Sequence, residues 1–356
     1  MRSKKALVVF ATSAFLLLVF GYFQIDEAQI HTTQGATMGT TWSVQINSSN
    51  SVSNSSSNAA ALQAVDAEIE GLLRHLDLDV YSTWAAESEL SRLNTSPPES
   101  TFIVSSELMT VLVMAKTLHG KTEGAFDITI GPLVNLWGFG PQDIQDGLPD
   151  TAAIELNRRK MGMADLVLDE KNLTVLKRKP LTLDLSAIAK GFAVDKAAAL
   201  LMQKGFNSFL VEIGGEIFAS GLRPDGKPWV IAIESPLHDS RSAYDAFANF
   251  GEAIGVAGSG DYRNFREIDG TLYSHEIDPR TGYPISHNLS AVTVIAESTA
   301  EADAWATALM VLGPEAGKTL ADSENLAAYF IMRNGVAFEH TYTAAFARFL
   351  YPKQGI

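Results

Sequence analysis

The apolar positions of this chain repeat with two different periods, and the two periods occupy different stretches. Over residues 59–75, an apolar stripe beginning with Leu62 and Val65 has helical spacing and predicts an amphipathic helix. Similar stripes predict helices over residues 106–118 and 188–204, each ending close to a glycine. These helices are separated by stretches whose pattern is different.

Between the helices, apolar side chains alternate with polar ones or form short apolar runs, as in half-buried and fully buried strands. The dipeptides Asp269-Gly270 and Asn334-Gly335 follow such runs and are typical of tight hairpins. Strands and helices do not alternate regularly, so we expect an α+β fold with antiparallel or mixed sheets. The predicted strands comprise residues 39–47, 181–185, 208–213, 216–220, 229–234, 253–257, 265–268, 272–277, 291–296 and 327–333.

A further helix is predicted over residues 298–314, with both ends marked. Its initial serine is followed three positions later by Glu301, as in a capping box, and Gly313-Pro314 is the expected end. Asp303 and Thr307 are four residues apart and so share one face. Their oxygens suit a hard divalent cation. Alternatively, Asp303 only adds favourable charge near the helix start, and Thr307 bonds back to the backbone.

The first 30 residues differ from the remainder. Basic residues precede an uncharged apolar run, Ala6–Phe23, which predicts a secretion signal or a short membrane anchor. No good small-x-small cleavage site follows, which favours an uncleaved anchor. Residues 31–356 are then expected as one domain outside the cytoplasm, on the periplasmic face of the inner membrane. Within it, the Ser/Asn-rich stretch 48–57 is predicted to be a loop.

Composition narrows the classes of function. The chain of 356 residues has no cysteine, which excludes disulfides, thiolate metal sites, a thiol nucleophile and a lipidated cysteine. Its formal net charge of −14 argues against nucleic-acid binding, because phosphate backbones require basic patches. An anionic ligand would therefore need a metal ion or helix N-termini to neutralise its charge.

Two segments in the first half carry side chains suited to a flat heteroaromatic ring. Residues 35–41 combine glycines with Met38, a soft contact for such a ring, although a plain strand entry would look similar. In the glycine-flanked segment 124–132, Phe126 could stack on a ring that Asp127 hydrogen-bonds. The alternative is that Asp127 only caps a short helix.

A third segment, residues 183–191, is predicted to run from a strand into a helix. Asp184 would end the strand, where it can accept a hydrogen bond from a ribose or a ring, and the Ala187 carbonyl would precede the helix ladder. That carbonyl is a candidate third metal oxygen. The alternative is an ordinary turn in which Ser186 caps the helix and Lys190 is an exposed charge.

Two later segments complete the set of candidate site segments. Gly214-Gly215 joins two predicted strands and favours a tight bend over a phosphate cradle, because no helix follows it. His275 lies on a strand that breaks into the turn beginning at Asp278-Pro279. This placement would expose an imidazole, although a histidine at a strand edge is also commonly structural.

The motifs Ala-Phe-Asp, Asp-Leu-Ser-x-x-x-Lys-Gly, Gly-Gly-Glu, Ser-His-x-Ile-Asp-Pro-x-Thr-Gly and Glu-Ala-Asp-x-x-x-Thr occur here in that order. In this order they closely resemble those of the ApbE-type FAD:protein FMN transferases, over Gly35 to about Leu312. The resemblance implies a single α+β domain with the active site between two lobes. It also implies Mg²⁺-dependent transfer of FMN from FAD to a Thr or Ser hydroxyl of an acceptor protein, as a phosphodiester, with release of AMP.

The resemblance assigns roles to individual positions. The metal ligands would be the Ala187 carbonyl, Asp303 and Thr307, and His275 would be the candidate base. Trp84 stands where the family often has Tyr, which preserves stacking but removes a phenol hydrogen bond. The residues lining FAD would be Met38, Trp84, Ala125, Phe126, Asp127, Asp184, Lys190 and Ile277.

Two other functions remain open from the sequence. One is a metal-dependent FAD pyrophosphatase, in which water replaces the acceptor hydroxyl, and the other is a flavin-binding protein without turnover. The cation-ligand pair argues against a plain binder. By the same resemblance, the acceptors would be extracytoplasmic flavin-carrying subunits of membrane redox complexes, such as Na⁺-pumping NADH:quinone reductase or Rnf-type carriers.

Overall fold

The computed structural model of the protein describes residues 30–48, 55–142, 147–237, 242–261, 265–268 and 271–352. The predicted N-terminal anchor and the Asp269-Gly270 turn lie outside these residues. So does most of the predicted Ser/Asn-rich loop, whose last residues, from Ser55, instead belong to a helix. Within the described ranges, no helix combines the length and apolar character that a membrane span requires.

Seven helices are found among the described residues. They are α1 (Ser55–Arg74), α2 (Glu89–Thr95), α3 (Ser106–Lys121), α4 (Gly131–Leu136), α5 (Thr151–Arg158), α6 (Ala189–Gln203) and α7 (Thr299–Ser323). A π-helical segment, His75–Tyr81, continues α1, and short 3₁₀ turns occupy Ile128–Ile130, Met163–Asp165 and Ala347–Phe349.

The strands begin nine residues earlier in the chain than the sequence predicts. They are β1 (Ile30–Thr37), β2 (Thr40–Asn47), β3 (Thr101–Ile103), β4 (Leu166–Asp169), β5 (Thr174–Lys177), β6 (Phe209–Ile213), β7 (Glu216–Gly221), β8 (Val230–Glu234), β9 (Ala243–Ala248), β10 (Gly251–Gly260), β11 (Phe265–Ile268), β12 (Thr271–Ser274), β13 (Leu289–Ala296), β14 (Ala327–Asn334) and β15 (Ala337–Tyr342).

Eight of these strands form one antiparallel sheet in the order β1-β2-β6-β7-β10-β13-β14-β15. Alternate residues of each strand face opposite sides of this sheet. On one side, Val211 packs in the large core under the helices, with α6 and α7 against the sheet. On the other side, Leu210 packs with Trp229, which directly precedes β8, and with Phe247 of β9, the strand paired with β8. The predicted α+β class is confirmed, with antiparallel rather than mixed pairing in this sheet.

Three predictions of local structure need correction. Residues 181–185 form no strand, because both backbone polar groups of Leu183 bond the Asn94 side chain, at 2.9 and 2.7 Å, instead of a neighbouring strand. Gly35 lies inside β1 rather than in a strand entry. A Cβ there would approach the Trp42 indole to 2.7 Å, so packing rather than ligand access explains this glycine.

The third correction concerns the end of α7. Ser298 caps the helix as predicted, accepting a hydrogen bond from the Glu301 amide at 3.2 Å. Gly313 has φ 81° and ψ 180°, so the first helical segment ends there as expected. The chain then resumes a helix at Pro314, where proline fits a first turn, and continues to Ser323.

Candidate active site

A cavity of about 370 Å³ lies where α6, α7 and the central sheet meet the segment around α4. This volume is within the range of small-molecule sites. The cavity brings together segments that are up to about 180 residues apart in sequence. Ten of the twelve predicted site residues line it, namely Ala125, Phe126, Asp127, Asp184, Ala187, Lys190, His275, Ile277, Asp303 and Thr307.

The other two predicted residues are not part of the cavity wall. Met38 is in the turn between β1 and β2, with φ 48°, and its amide donates to Asp77 Oδ2 at 2.7 Å. Trp84 is 63% exposed. Their predicted contacts with FAD stay predictions, and neither side chain is positioned by the cavity itself.

The crossing of α6 and α7 fixes the polar centre of the cavity. Gly191 permits this crossing, because a Cβ there would lie 2.5 Å from the Thr299 carbonyl oxygen. At this contact the Gly191 amide donates to Asp303 Oδ2 at 3.1 Å. The neighbouring Lys190 Nζ lies 3.9 Å from the same carboxylate oxygen and 3.3 Å from Glu216 Oε1. The alternative of an exposed Lys190 charge is therefore wrong.

Acidic groups outnumber basic groups in this buried cluster. Asp303, Glu216 and Glu276 are all buried, whereas Lys190 is the neighbouring ammonium. Burial raises the pKa of each carboxyl group, and Lys190 partly offsets this effect. For Lys190, burial lowers the pKa, but Asp303 and Glu216 reverse this and hold it above its usual range. The site therefore favours an additional cation.

Sequence reasoning did not single out Glu216 and Glu276 as site residues. Glu216 ends the Gly-Gly-Glu motif, which gave a signal for it, and its buried Oε2 has no hydrogen-bond partner among the described residues. Glu276 lies between His275 and Ile277, and no local pattern distinguishes it from a solvent-facing charge. Only the folded structure, in which both carboxyl groups are buried in the cavity wall, shows that Glu216 and Glu276 belong to the site.

The three candidate metal oxygens fit a hard cation. The Gly191 amide, one turn after Ala187, is engaged by Asp303, so the α6 ladder does not require the Ala187 carbonyl. Thr307 Oγ1 lies 3.3 Å from Ser259 Oγ in the cavity wall. The described residues contain no cluster of three or more His, Asp or Glu side chains arranged for a metal. The candidate set is of another kind, with one carboxylate, one carbonyl and one hydroxyl.

Asp127 and Asp184 both organise the backbone beside the cavity. Asp127 Oδ1 accepts hydrogen bonds from the amide and hydroxyl of Thr129, at 2.7 and 2.5 Å, and so caps the 3₁₀ turn that follows. Asp184 Oδ1 accepts in the same way from Ser186, at 2.9 and 2.5 Å. Ser186 is thus not the cap of α6, which begins after Ile188 without a side-chain cap.

Tight turns position two further parts of the wall. Gly214 and Gly215 have φ of 63° and 109° and join β6 to β7, and the Gly215 amide donates to Glu212 Oε1 at 2.8 Å. The predicted bend is confirmed, and its glycines line the cavity. In the second turn, Trp137 Nε1 donates to the Gly282 carbonyl at 2.9 Å, which holds the loop after Asp278.

His275 directly follows β12, which ends at Ser274 rather than extending to residue 277. Its side chain is 31% exposed and lines the cavity. His275 Nε2 lies 3.6 Å from Glu276 Oε1, and its ring meets the Phe139 ring edge-on at 6.3 Å. The imidazole thus lies at the cavity surface beside an acidic and an aromatic neighbour and is partly accessible.

Comparison with known proteins identifies the family. A sequence model of the ApbE family matches residues 38–330. A Vibrio cholerae protein named FAD:protein FMN transferase is 40% identical over 338 residues, covering 95% of this chain and 97% of that protein. A solved structure of the flavin transferase ApbE from Vibrio cholerae has a TM-score of 0.80 at 38% identity, with 90% and 100% of the two chains covered. The chain belongs to the ApbE family.

A second solved structure agrees. The apo form of the Pseudomonas stutzeri flavinyl transferase ApbE has a TM-score of 0.80 at 39% identity, with 90% of this chain and 96% of that chain covered. The predicted family and the α+β fold are therefore confirmed. The predicted class of enzyme, a transferase, is confirmed with them.

Proposed function

We propose that this protein transfers FMN from FAD to a Thr or Ser hydroxyl of an acceptor protein, with Mg²⁺ as cofactor and AMP as leaving group. Membership of the ApbE family supports flavin transfer. The excess of buried carboxylates around Lys190 is the observation that carries the cation requirement. Without a cation, these carboxylates would repel the diphosphate of FAD at short range.

The Ala187 carbonyl, Asp303 and Thr307 would hold the ion. When bound, a divalent cation supplies charge neutralisation at the diphosphate, where negative charge develops on the leaving AMP. Lys190 contributes a second positive charge at the same cluster. Glu216 pairs with Lys190 and so fixes the position of the ammonium beside Asp303.

In the reaction, the acceptor hydroxyl oxygen forms a bond to the phosphorus of the FMN half of FAD. The bond from that phosphorus to the bridging oxygen breaks, and AMP leaves with this oxygen. We assign His275 as the group that accepts the hydroxyl proton, because its accessible imidazole lines the cavity beside Glu276. Phe126 and Asp127 would contact the flavin ring, and Asp184 a hydroxyl or ring donor of FAD.

The acceptor and the compartment are also part of the proposal. The apolar run Ala6–Phe23 supports an extracytoplasmic domain tethered to the inner membrane. Acceptors in that compartment would be flavin-carrying subunits of Na⁺-pumping NADH:quinone reductase or of Rnf-type carriers. The net negative charge of the protein argues against nucleic-acid binding.

One experiment separates the candidate functions. The protein is incubated with FAD, Mg²⁺ and a candidate acceptor, and in-gel flavin fluorescence on the acceptor is compared with AMP released. Equal amounts of bound flavin and AMP are expected. AMP without labelled acceptor would indicate a pyrophosphatase, and FAD binding without either product would indicate a flavin-binding protein. Omission of Mg²⁺ and replacement of the acceptor Thr by Ala are the controls.

A further inference from the structure

A small apolar face lies on the surface at one end of the central sheet. It is formed by Leu222, Phe250 and Tyr351 and is called here the Leu222 face. Leu222 is 40% exposed and Phe250 48% exposed. The rings of Phe250 and Tyr351 are 6.4 Å apart, and Gly251 lies against the Leu222 side chain. Apolar side chains grouped in this way often mark an interaction surface.

The turn that carries Phe250 is rigid and holds this residue in an unfavourable conformation. Phe250 has φ 47°, a region that bulky L-residues rarely adopt. The buried Asn249 side chain fixes the turn, because it accepts from the Trp229 amide at 2.9 Å and donates to the Gly221 carbonyl at 2.9 Å. A strained, exposed aromatic residue in a fixed turn points to function rather than to folding.

The described chain begins next to this face. Ile30 pairs with Asn47 across the β1–β2 hairpin. The Asn47 side-chain amide in turn donates to the Leu222 carbonyl at 3.0 Å. Six residues, 24–29, separate Ile30 from the apolar run Ala6–Phe23. A chain of that length spans at most about 20 Å, so an inserted run would hold this end of the domain near the bilayer.

The cavity is at the other end of the same strands. β6 runs from Phe209, which pairs with Ser220 near the Leu222 face, to Ile213, where the Gly214-Gly215 turn enters the cavity wall. Five residues of strand correspond to about 17 Å. Contact between the Leu222 face and a surface would therefore direct the cavity away from that surface.

Resting on the membrane tether of the proposed function, we propose that the Leu222 face docks on the surface of the lipid bilayer in which the N-terminal run would be anchored, with Phe250 and Leu222 inserted among the lipids. The docking is apolar, because a chain with a net charge of −14 gains no general attraction to anionic lipids. Two inserted side chains bind weakly on their own, and the tether makes this contact intramolecular. The cavity is then presented to acceptor segments that extend away from the membrane.

The absence of cysteine from the chain permits a direct test. The full chain is reconstituted in phosphatidylcholine vesicles with one fluorophore, on Lys227→Cys beside the Leu222 face or on Ala36→Cys at the cavity end of β1. Brominated phosphatidylcholine should quench the label at 227 and not the label at 36. The change Phe250→Asn with Leu222→Ser should abolish quenching at 227. Ile103→Ser, which removes an exposed apolar residue elsewhere, should not.

The change Phe250→Asn should not unfold the protein, because asparagine tolerates the positive φ of this position better than phenylalanine does. Its thermal stability should equal or exceed that of the parent chain, and FMN transfer to an acceptor free in solution should be unchanged. Equal quenching at 227 and 36, or quenching at 227 that survives both substitutions, would overturn the proposal. A concentration-dependent dimer that these substitutions dissolve would assign the face to a second copy of the chain instead.

Discussion

Two aspartates on the paired helices α6 and α7, Asp195 half-buried and Asp303 buried, differ in what surrounds their oxygens. Asp195 uses both oxygens on the start of α7, accepting from the amides of Thr299 at 2.7 Å and Ala300 at 2.9 Å. Asp303, one turn further into α7, accepts among the described residues from the Gly191 amide, and its other close neighbour is Lys190 at 3.9 Å. Both oxygens of Asp195 thus accept backbone hydrogen bonds, whereas Asp303 faces the cavity.

This difference shows that a carboxyl pKa raised by burial does not distinguish a structural carboxylate from a functional one. Burial raises the pKa of both groups, that of Asp195 to about 6, although hydrogen bonds to the Ala300 and Thr299 amides oppose the rise at Asp195. A helix N-terminus stabilises the charge of Asp195 with backbone dipoles. Asp303 lacks a comparable set of donors, so its charge is available for a ligand. The predictions below test that contrast.

The largest expected effect is on Asp303. Asp303→Ala should reduce FMN transfer at saturating Mg²⁺ by at least about 10³-fold, since loss of a metal ligand removes several kcal/mol of transition-state stabilisation. The variant should still fold, with only a modest fall in thermal unfolding temperature, because a single buried amide, that of Gly191, loses its acceptor. Asp303→Asn, which keeps the volume, is the matched variant. Transfer at the parental rate would disprove the metal assignment.

The next effect concerns His275. If it accepts the hydroxyl proton, His275→Ala should retain Mg²⁺-dependent FAD binding and lose about 10²–10⁴-fold in transfer rate. A loss smaller than about tenfold would leave His275 as a binding residue, because a loose transition state needs little basic assistance.

Asp195 should give the opposite result to Asp303. Asp195→Ala should lower the free energy of unfolding by about 1–2 kcal/mol near pH 4, because two helix amides lose their acceptor. Burial raises the folded-state pKa of Asp195 from the ordinary 3.8 to about 6, so the pH-dependent part of its contribution to stability is largest below pH 3.8 and is lost as the pH rises through about 6. Denaturant unfolding of both proteins at pH 4 and pH 7 measures the change. Folded Asp195→Ala should keep its transfer rate, and an Asp303-like loss of rate would contradict its structural role.

The smallest effect is expected at Trp84, outside the cavity wall. Stacking of this exposed indole on FAD would contribute about 1 kcal/mol, so Trp84→Ala should raise KM for FAD about fivefold and leave kcat unchanged. Steady-state kinetics with varied FAD measures both constants. Trp84→Tyr should restore most of the binding. A large fall in kcat at unchanged KM would instead place Trp84 in the chemical step.

Local sequence was sufficient wherever the deciding contacts lie within a few residues. The capping of α7 at Ser298, the shared face of Asp303 and Thr307, and the Gly214-Gly215 bend all follow from helix and turn geometry. Ten of the predicted site residues line one cavity. They could be predicted because their motifs occur together in the order typical of one family. The same local reasoning misjudged residues 181–185, whose backbone is bonded by a side chain about 90 residues earlier.

What the sequence by itself determined is the class of fold, the family and the chemical type of each candidate ligand. The tertiary structure decided which charges meet. From the sequence, Lys190 is indistinguishable from an exposed helix charge, and only the crossing of α6 and α7 at Gly191 brings it into the buried cluster. In the same way, Glu216 and Glu276 have the sequence pattern of surface acids, and only the folded sheet and loop bury them. The physical reason is that propensity and periodicity depend on near neighbours, whereas burial and pairing depend on segments that are distant along the chain and meet only through packing.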